Sequence, residues 1–233
     1  MSKATNSRAL ARDAQIEAIK VVARRLIAEK SVSGLSLREV SRELGLVSSA
    51  LYRYFATRDD LLTALILDAY NDLGQSVERA DARVARADAY ARWRASARAI
   101  RRWATHNPHE YALIYGTPVP GYAAPTATIE AAARVVRVLG AILSESRRTA
   151  PRSVPKHSQG IDVGRYLAID VLAAIMPGVA PEEYLKALIA WTTIFGFLTF
   201  ELFGQYVGSV KNANLMFDRV VDDLAVSLNL KAA

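Results

Sequence analysis

The sequence predicts an all-α protein. Apolar residues recur at three- and four-residue steps along most of the 233-residue chain, which is the spacing of one face of an α-helix. Two capping sequences, Ser36 with Glu39 and Thr57 with Asp60, mark helix starts. No segment alternates apolar and polar residues as a half-buried strand does. A chain of this length accommodates a small domain and a larger one with its own core.

The N-terminal elements follow from these patterns. Residues 1–12 combine basic and small polar residues with no hydrophobic period, so we expect a flexible basic arm. Gly45 lies between two short helical patterns and supplies a turn. The predicted elements are a helix over about 13–30, a second from Leu37, a third from about Ser48 that packs Val47, Leu51 and Phe55 inward, and a long fourth from Thr57.

The rest of the chain also has a helical period. Asn107-Pro108 ends one helix because proline disfavours helix at its predecessor and lacks an N–H. A short helix carrying Tyr111 and Tyr115 follows, and residues 149–160 predict a solvated loop. The longer helices are predicted at about 83–106, 125–147, 161–176, 181–208 and 214–228.

Composition limits the partners and the chemistry. The net charge of +7, from 30 basic and 23 acidic residues, allows a local basic surface for nucleic acid. The absence of cysteine excludes disulfides and thiolate metal sites and suits the cytoplasm. The N-terminus lacks a signal-peptide core, and the apolar stretch 187–200 is shorter than the roughly 20 residues that span a bilayer. We therefore expect a cytoplasmic protein with no membrane partner and no cofactor.

The segment Ser36–Leu62 has the pattern of a helix-turn-helix DNA reader. With the apolar stripe of its third helix inward, four polar side chains face outward: Ser48, Ser49, Tyr52 and Arg53. Hydroxyls can bond to base edges, and tyrosine and arginine reach phosphate or guanine. Arg58 stands in a first helical turn, where a cation is mildly unfavourable, so a phosphate contact is its simplest use.

A plainer alternative is a solvated charged face. Arg38, Arg53 and Arg58 could instead pair with nearby carboxylates. The carboxylates in question belong to Glu39, Glu43 and Asp59.

Residues from about 13 to 66 resemble the DNA-binding domain of the TetR family of bacterial transcriptional regulators. The resemblance rests on the apolar first helix, Gly34-Leu-Ser, Leu44-Gly45-Leu46, Leu51-Tyr-Arg-Tyr-Phe55, and a basic residue followed by Leu61-Leu62. It implies a helix-turn-helix domain at 13–60 joined by a long helix to an effector-binding and dimerisation domain at 61–233. It also implies base contacts by Arg38, Ser48, Ser49 and Arg53, and phosphate contacts by Ser36, Tyr52, Tyr54 and Arg58.

Two positions depart from the family pattern. Val47 stands where the third helix usually has a polar cap, and Tyr54 stands where histidine is common. If Ser48 replaces the missing cap, its hydroxyl is committed to the backbone. Ser49, Arg38 and Arg53 are then the better candidates for base contacts.

Two further motifs are Ala104-Thr-His-Asn-Pro-His-Glu-Tyr111 and Trp191-Thr-Thr-Ile-Phe-Gly-Phe-Leu-Thr-Phe-Glu-Leu202. With them, the C-terminal part resembles one C-terminal subgroup of the same family. This resemblance implies a homodimer through helices at about 181–208 and 214–228, and a pocket for a small effector. The first of these helices is also apolar on more of its circumference than one core covers. A largely apolar pocket suits a lipophilic or aromatic effector. The candidate wall residues are Trp93, Trp103, Tyr111, Tyr115, Tyr122, Met176, Trp191 and Phe195.

Two other functions remain open from the residues alone. A helical enzyme or metal protein has little material, because His106, His109 and Glu110 lie close in sequence but lack HExxH-type spacing. An architectural DNA-binding protein would lack an enclosed cavity. The resemblance favours a homodimeric repressor that is not an enzyme, that binds a palindromic double-stranded operator and that a small, hydrophobic effector releases.

Overall fold

The computed structural model describes residues 3–149 and 162–231, and within these ranges it contains helices and no strand. The predicted all-α class is confirmed. The ten α-helices that the structure describes are α1 (Lys3–Lys30), α2 (Leu37–Glu43), α3 (Ser48–Leu51), α4 (Arg58–Ala82), α5 (Ala89–His106), α6 (Pro108–Tyr115), α7 (Thr128–Thr149), α8 (Ile169–Ile175), α9 (Pro181–Leu202) and α10 (Ala213–Ser227).

The first of two compact units contains the chain up to Ala69 together with His109–Ile129. Its core joins the buried faces of α1, α2, α3 and the start of α4, and Leu113 of α6 packs against it. The predicted domain boundary after residue 60 lies inside this unit, because Leu61 and Leu65 belong to the same buried cluster.

The second unit contains Tyr70–Pro108 and the chain from Glu130 onward. Its core is built from buried residues of α5, α7, α9 and α10, among them Ile100 and Ile142. Its most deeply buried charged group is paired, as burial requires. Arg92, fully buried on α5, donates from Nε and Nη2 to the Asp81 carboxylate at 2.7 and 3.0 Å.

The predicted flexible arm at 1–12 is wrong over residues 3–12, which form the first turns of α1. The side chains described in this stretch, from Ser7 to Arg12, are exposed, so no apolar period marks the helix. Alanine, leucine and arginine have high helix propensity, and the buried stripe further along α1 supplies the nucleus that they extend.

Three other predicted boundaries are wrong for local reasons. The helix predicted from 83 begins only at α5, because the Asp88 carboxylate accepts the Ala91 N–H at 2.8 Å and caps it there. The single helix predicted at 161–176 is instead a 3₁₀ turn followed by α8. The helix predicted to reach 208 ends at Leu202, where Gly204 takes a left-handed φ of 77°. The loop predicted at 149–160 lies almost entirely outside the described residues.

By length and composition alone, α9 is the one described helix that could cross a membrane. Six of its residues are nevertheless buried in the second unit. Core helices of soluble proteins have the same composition.

Candidate nucleic-acid interface

Helix α2 begins at a side-chain cap. The Ser36 hydroxyl accepts the Glu39 N–H at 3.2 Å, as the capping sequence predicts. The reciprocal bond, from the Ser36 N–H to the Glu39 carboxylate, is absent among the described contacts, because that carboxylate pairs with Lys30 and with Arg42. The hydrogen bond from Lys30 is the main cause that lowers the pKa of Glu39 below its ordinary value. Glu39 is therefore committed to these two cations.

Gly45 closes α2 and sets the approach to α3. Its φ of 65° lies in the left-handed region, and its N–H bonds to the Arg42 carbonyl at 3.1 Å. The Leu46 N–H bonds to the Ser41 carbonyl at 2.9 Å, which completes a Schellman motif. The predicted turn is thus present, and Leu51 on α3 is buried in the core that α2 shares.

Val47 occupies the cap position of α3 and makes no capping side-chain bond. Ser48 does not replace it, so the predicted commitment of its hydroxyl to the backbone is wrong. That hydroxyl instead lies 3.2 Å from the hydroxyl of Ser41, which itself donates to the Arg38 carbonyl at 2.8 Å. Since Ser41 has one proton to donate, Ser48 must be the donor to Ser41. The Ser48 oxygen keeps its lone pairs for an outside donor.

Arg38 and Arg53 are both exposed and have no ion pair among the described residues. The carboxylates that could neutralise them are engaged elsewhere. Glu39 pairs with Lys30 and Arg42, and Glu43 pairs with Arg25. The alternative of a solvated charged face predicts that these two arginines pair with nearby carboxylates. The structure does not show such pairs for them among the described residues.

The remaining residues around α3 differ in exposure. Ser49 is exposed, and Tyr52 is 47% exposed at the C-terminal end of the helix. Tyr54 is half-buried against the core and lies under the Arg12 guanidinium, 5.9 Å from its ring centroid. We call Arg38, Ser49, Tyr52 and Arg53 the reading surface.

The Arg58 guanidinium is used inside the first unit. Its Nε donates to the Leu35 carbonyl at 2.9 Å, and its Nη2 donates to the Val32 carbonyl at 2.8 Å. The Asp59 carboxylate is only at 3.7 Å from Nη1. Arg58 therefore holds the connection between α1 and α2 against the start of α4.

The first unit also contains an ion network that the sequence patterns did not predict. Lys20 and Arg24 of α1 reach Asp68 of α4 at 2.8 and 2.5 Å, and Arg24 lies 3.9 Å from Glu110 of α6. Burial lowers the pKa of Lys20, but hydrogen bonds to Asp68 and Glu17 outweigh it and raise the pKa. A lysine on an otherwise apolar helical stripe was the only signal, and its partner Asp68 is distant in sequence.

The second unit contains a cavity of about 200 Å³ between α5, α7, α8 and α9. Of the eight predicted wall residues, Trp93, Met176 and Trp191 line it. Phe195 is not in its lining but lies against Trp191, with ring centroids 4.2 Å apart. The aliphatic residues that complete the lining have the spacing of ordinary core, so the sequence could not distinguish them.

The other predicted wall residues are absent from the lining of this cavity. The indole N–H of Trp103 donates to the Asp72 carboxylate at 2.7 Å. Tyr111 and Tyr115 lie in the first unit with ring centroids 5.3 Å apart, and the Tyr122 hydroxyl bonds to that of Thr63 at 3.0 Å. The side chains of these four residues pack or bond elsewhere.

The described residues hold no cluster of three or more metal-ligating side chains. His106 ends α5, and its Nδ1 lies 2.7 Å from the Arg102 carbonyl, so that nitrogen carries the proton. His109 and Glu110 belong to the other compact unit.

Comparison with known proteins identifies the family. Residues 19–65 match the family model described as bacterial regulatory proteins, tetR family, and residues 93–224 match the one described as tetracyclin repressor-like, C-terminal domain. The HTH-type transcriptional regulator Rv1816 of Mycobacterium tuberculosis is 40% identical over 210 residues, which cover 82% of each chain. The chain belongs to the TetR family of transcriptional regulators.

Solved structures agree with the TetR assignment. The structure of regulatory protein SCO4313 has 33% sequence identity and a TM-score of 0.76, covering 92% of this chain and 96% of that one. The TetR family regulator PfmR from Thermus thermophilus shares the fold at 18% identity and a TM-score of 0.58, covering 88% of this chain and 96% of its own. As a TetR-family member, the chain is a DNA-binding transcriptional regulator and not an enzyme.

Proposed function

We propose that this TetR-family protein is a cytoplasmic, homodimeric repressor. It binds a palindromic operator through the reading surface of each protomer, and a small apolar effector in the second unit releases it. The observation that carries the DNA-binding part is the pair of exposed arginines, Arg38 and Arg53, without carboxylate partners among the described residues. Unpaired arginines beside hydroxyl groups suit phosphate and guanine.

Each predicted DNA contact has a role in this proposal. Arg38, Ser49 and Arg53 read bases, and Tyr52 and Ser36 contact phosphate. Ser48 contributes its oxygen as an acceptor, since its proton is directed to Ser41. Tyr54 and Arg58 act mainly by positioning, because Tyr54 packs on the core and Arg58 bonds to two backbone carbonyls.

The homodimer is supported by an exposed stripe along α9. Exposed residues recur there at three- and four-residue steps and include large apolar side chains that a monomer would leave in water. A second copy placed across a two-fold axis would cover this stripe and present two reading surfaces to a palindrome. The stripe comprises Leu185, Ile189, Thr192, Gly196, Phe200 and Phe203.

The cavity of the second unit favours an effector-controlled regulator over an architectural DNA-binding protein, which has no need of one. Release follows if the effector binds better to a state in which the spacing of the two reading surfaces no longer matches the operator. The effector can shift this equilibrium only by its difference in affinity for the two states.

Alanine substitution tests the reading surface. DNA fragments that the wild-type protein selects from its source genome supply the operator. Replacing Arg38 or Arg53 should weaken operator binding by about 1–3 kcal/mol. It should also reduce either the dependence of the operator affinity on salt concentration or the discrimination between bases in the operator. Arg42→Ala is the matched control, because Arg42 is exposed on α2, the helix that also carries Arg38, but pairs with Glu39. An equal loss in all three variants would contradict the assignment.

A further inference from the structure

The lining of the 200 Å³ cavity is unusual in having no charged and no hydroxyl-bearing side chain among its eleven residues. Its polar side-chain groups are the indole N–H groups of Trp93 and Trp191. The N–H of Trp93 is already bonded to the Val221 carbonyl at 2.9 Å. The Trp93 wall of the cavity thus presents apolar surface to an occupant.

Such a lining discriminates strongly by charge. An ion that leaves water for an apolar site loses several kcal/mol of solvation unless a partner compensates for it. No lining residue carries a charge that could compensate an ion in this way. A neutral apolar molecule, in contrast, gains free energy by burying its surface there.

The volume and the shape set the size of the occupant. An apolar cavity of roughly 150 Å³ stays dry and binds benzene. A cavity of about 200 Å³ therefore admits a molecule with one aromatic ring or with two fused rings. The two indoles offer ring faces and edges for stacking.

Met176 forms one wall of this cavity. It is buried at the C-terminal end of α8, lines the cavity and packs directly over Gly140 of α7. A Cβ at position 140 would lie 2.7 Å from Cγ of Met176 and 3.2 Å from its Cα. Gly140 thus provides the space in which the Met176 side chain is held.

We propose that this cavity binds an uncharged aromatic hydrocarbon-like molecule of one or two rings, and that Met176 sets the upper limit of its size. This proposal rests on the proposed function in one point only, namely that the bound molecule acts as the effector. The site itself is defined by the second unit.

Titration calorimetry of the full-length protein tests the charge rule with two matched probes, naphthalene and 2-naphthoate. We expect saturable binding of one naphthalene per chain and an affinity for 2-naphthoate that is lower by at least about 100-fold. No binding of naphthalene to the folded protein, or comparable affinities for the two probes, would overturn the proposal.

Filling the cavity tests the location. Ala187→Phe places a ring in the lining and should abolish naphthalene binding, and Val136→Phe serves as an independent second variant. The matched control is Ala174→Phe, at an exposed position on α8 outside the lining. Circular dichroism establishes which variants fold. Unchanged binding in a folded filled variant, or equal loss in the control, would overturn the location.

The size limit has its own measurement. Met176→Ala should raise the ratio of fluorene affinity to naphthalene affinity about 10-fold or more, and a ratio within one variant does not depend on its stability. An unchanged ratio would remove Met176 from this role. Naphthalene binding without loss of operator affinity would refute effector release but not this site. Operator binding by a folded protein that does not bind naphthalene would refute the site and leave the repressor.

Discussion

Arginines that lie close together in the first unit have different tasks. Arg38 and Arg53 extend into solvent without carboxylate partners among the described contacts, whereas Arg25 and Arg42 are held by Glu43 and Glu39. Arg58 differs again, because two backbone carbonyls accept its protons. What an arginine can offer to DNA depends on which acceptors within the chain already hold it.

Arg58→Ala should lower the stability of the protein without DNA. The substitution removes two charge-assisted hydrogen bonds to backbone carbonyls at a side chain that is 30% exposed, so we expect a loss of about 1–2 kcal/mol. Denaturant unfolding measures it. Arg58→Lys should recover only part of the loss, since a lysine lacks the planar fork that reaches both carbonyls.

If Arg58 served only to contact phosphate, the stability would not change. Arg58→Ala would then unfold at the same denaturant concentration as the wild-type protein and would differ only in DNA affinity.

At the scale of elements, polar side chains decide where helices begin and how they pair. Asp88 and Asn212 cap α5 and α10 by accepting backbone N–H groups. The two helices then pack together, and charged groups join them across their exposed edge. Arg98 of α5 donates from Nε and Nη2 to the Asp218 carboxylate of α10 at 2.8 and 2.7 Å. This bidentate pair stabilises the contact beyond its apolar core.

The Arg98–Asp218 pair predicts an acid-dependent part of the stability. The hydrogen bond from Arg98 is the main cause that holds the pKa of Asp218 below its ordinary value. A carboxyl group whose pKa is lowered in the folded state contributes stability at pH values above its ordinary pKa. This contribution is lost as the pH falls through the lowered pKa. Asp218→Asn should therefore lower Tm more near about pH 7 than near about pH 3. A difference in Tm that is constant with pH would contradict this account.

At the scale of the whole molecule, the chain has two compact units whose boundaries do not follow sequence order. The segment His109–Ile129 belongs with the N-terminal helices, although it lies between two segments of the second unit. The helix α4 runs from the first unit into the second. The second unit carries both the cavity and the exposed stripe of α9.

Ile189→Glu should convert the proposed dimer to a monomer. Ile189 is 51% exposed in the middle of the α9 stripe, and a buried, unpaired carboxylate at an interface costs several kcal/mol. Light scattering coupled to size-exclusion chromatography measures the mass. Lys186→Glu, a substitution on the same helix outside the stripe, is the control. A wild-type monomer at micromolar concentration, or an unaffected Ile189→Glu dimer, would contradict the proposal.

The sequence by itself determined the helical class, the turn at Gly45, the cap at Ser36 and the order of motifs that mark the TetR family. These features depend on hydrogen bonds and side-chain contacts within a few residues, so spacing along the chain is enough to predict them. Even here, the start of α5 and the end of α9 were misplaced where the Asp88 cap and Gly204 went unrecognised.

Only the tertiary structure decided which charged side chains lack a partner among the described residues and which side chains line the cavity. Arg58 meets the Val32 carbonyl across 26 residues of sequence, and the carboxylates near Arg38 pair with other cations that folding brings within reach. The cavity needs four helices, and three of the eight predicted aromatic and methionine residues line it. Ion-pair partners and cavity volume depend on distances between remote segments, which periodicity does not encode.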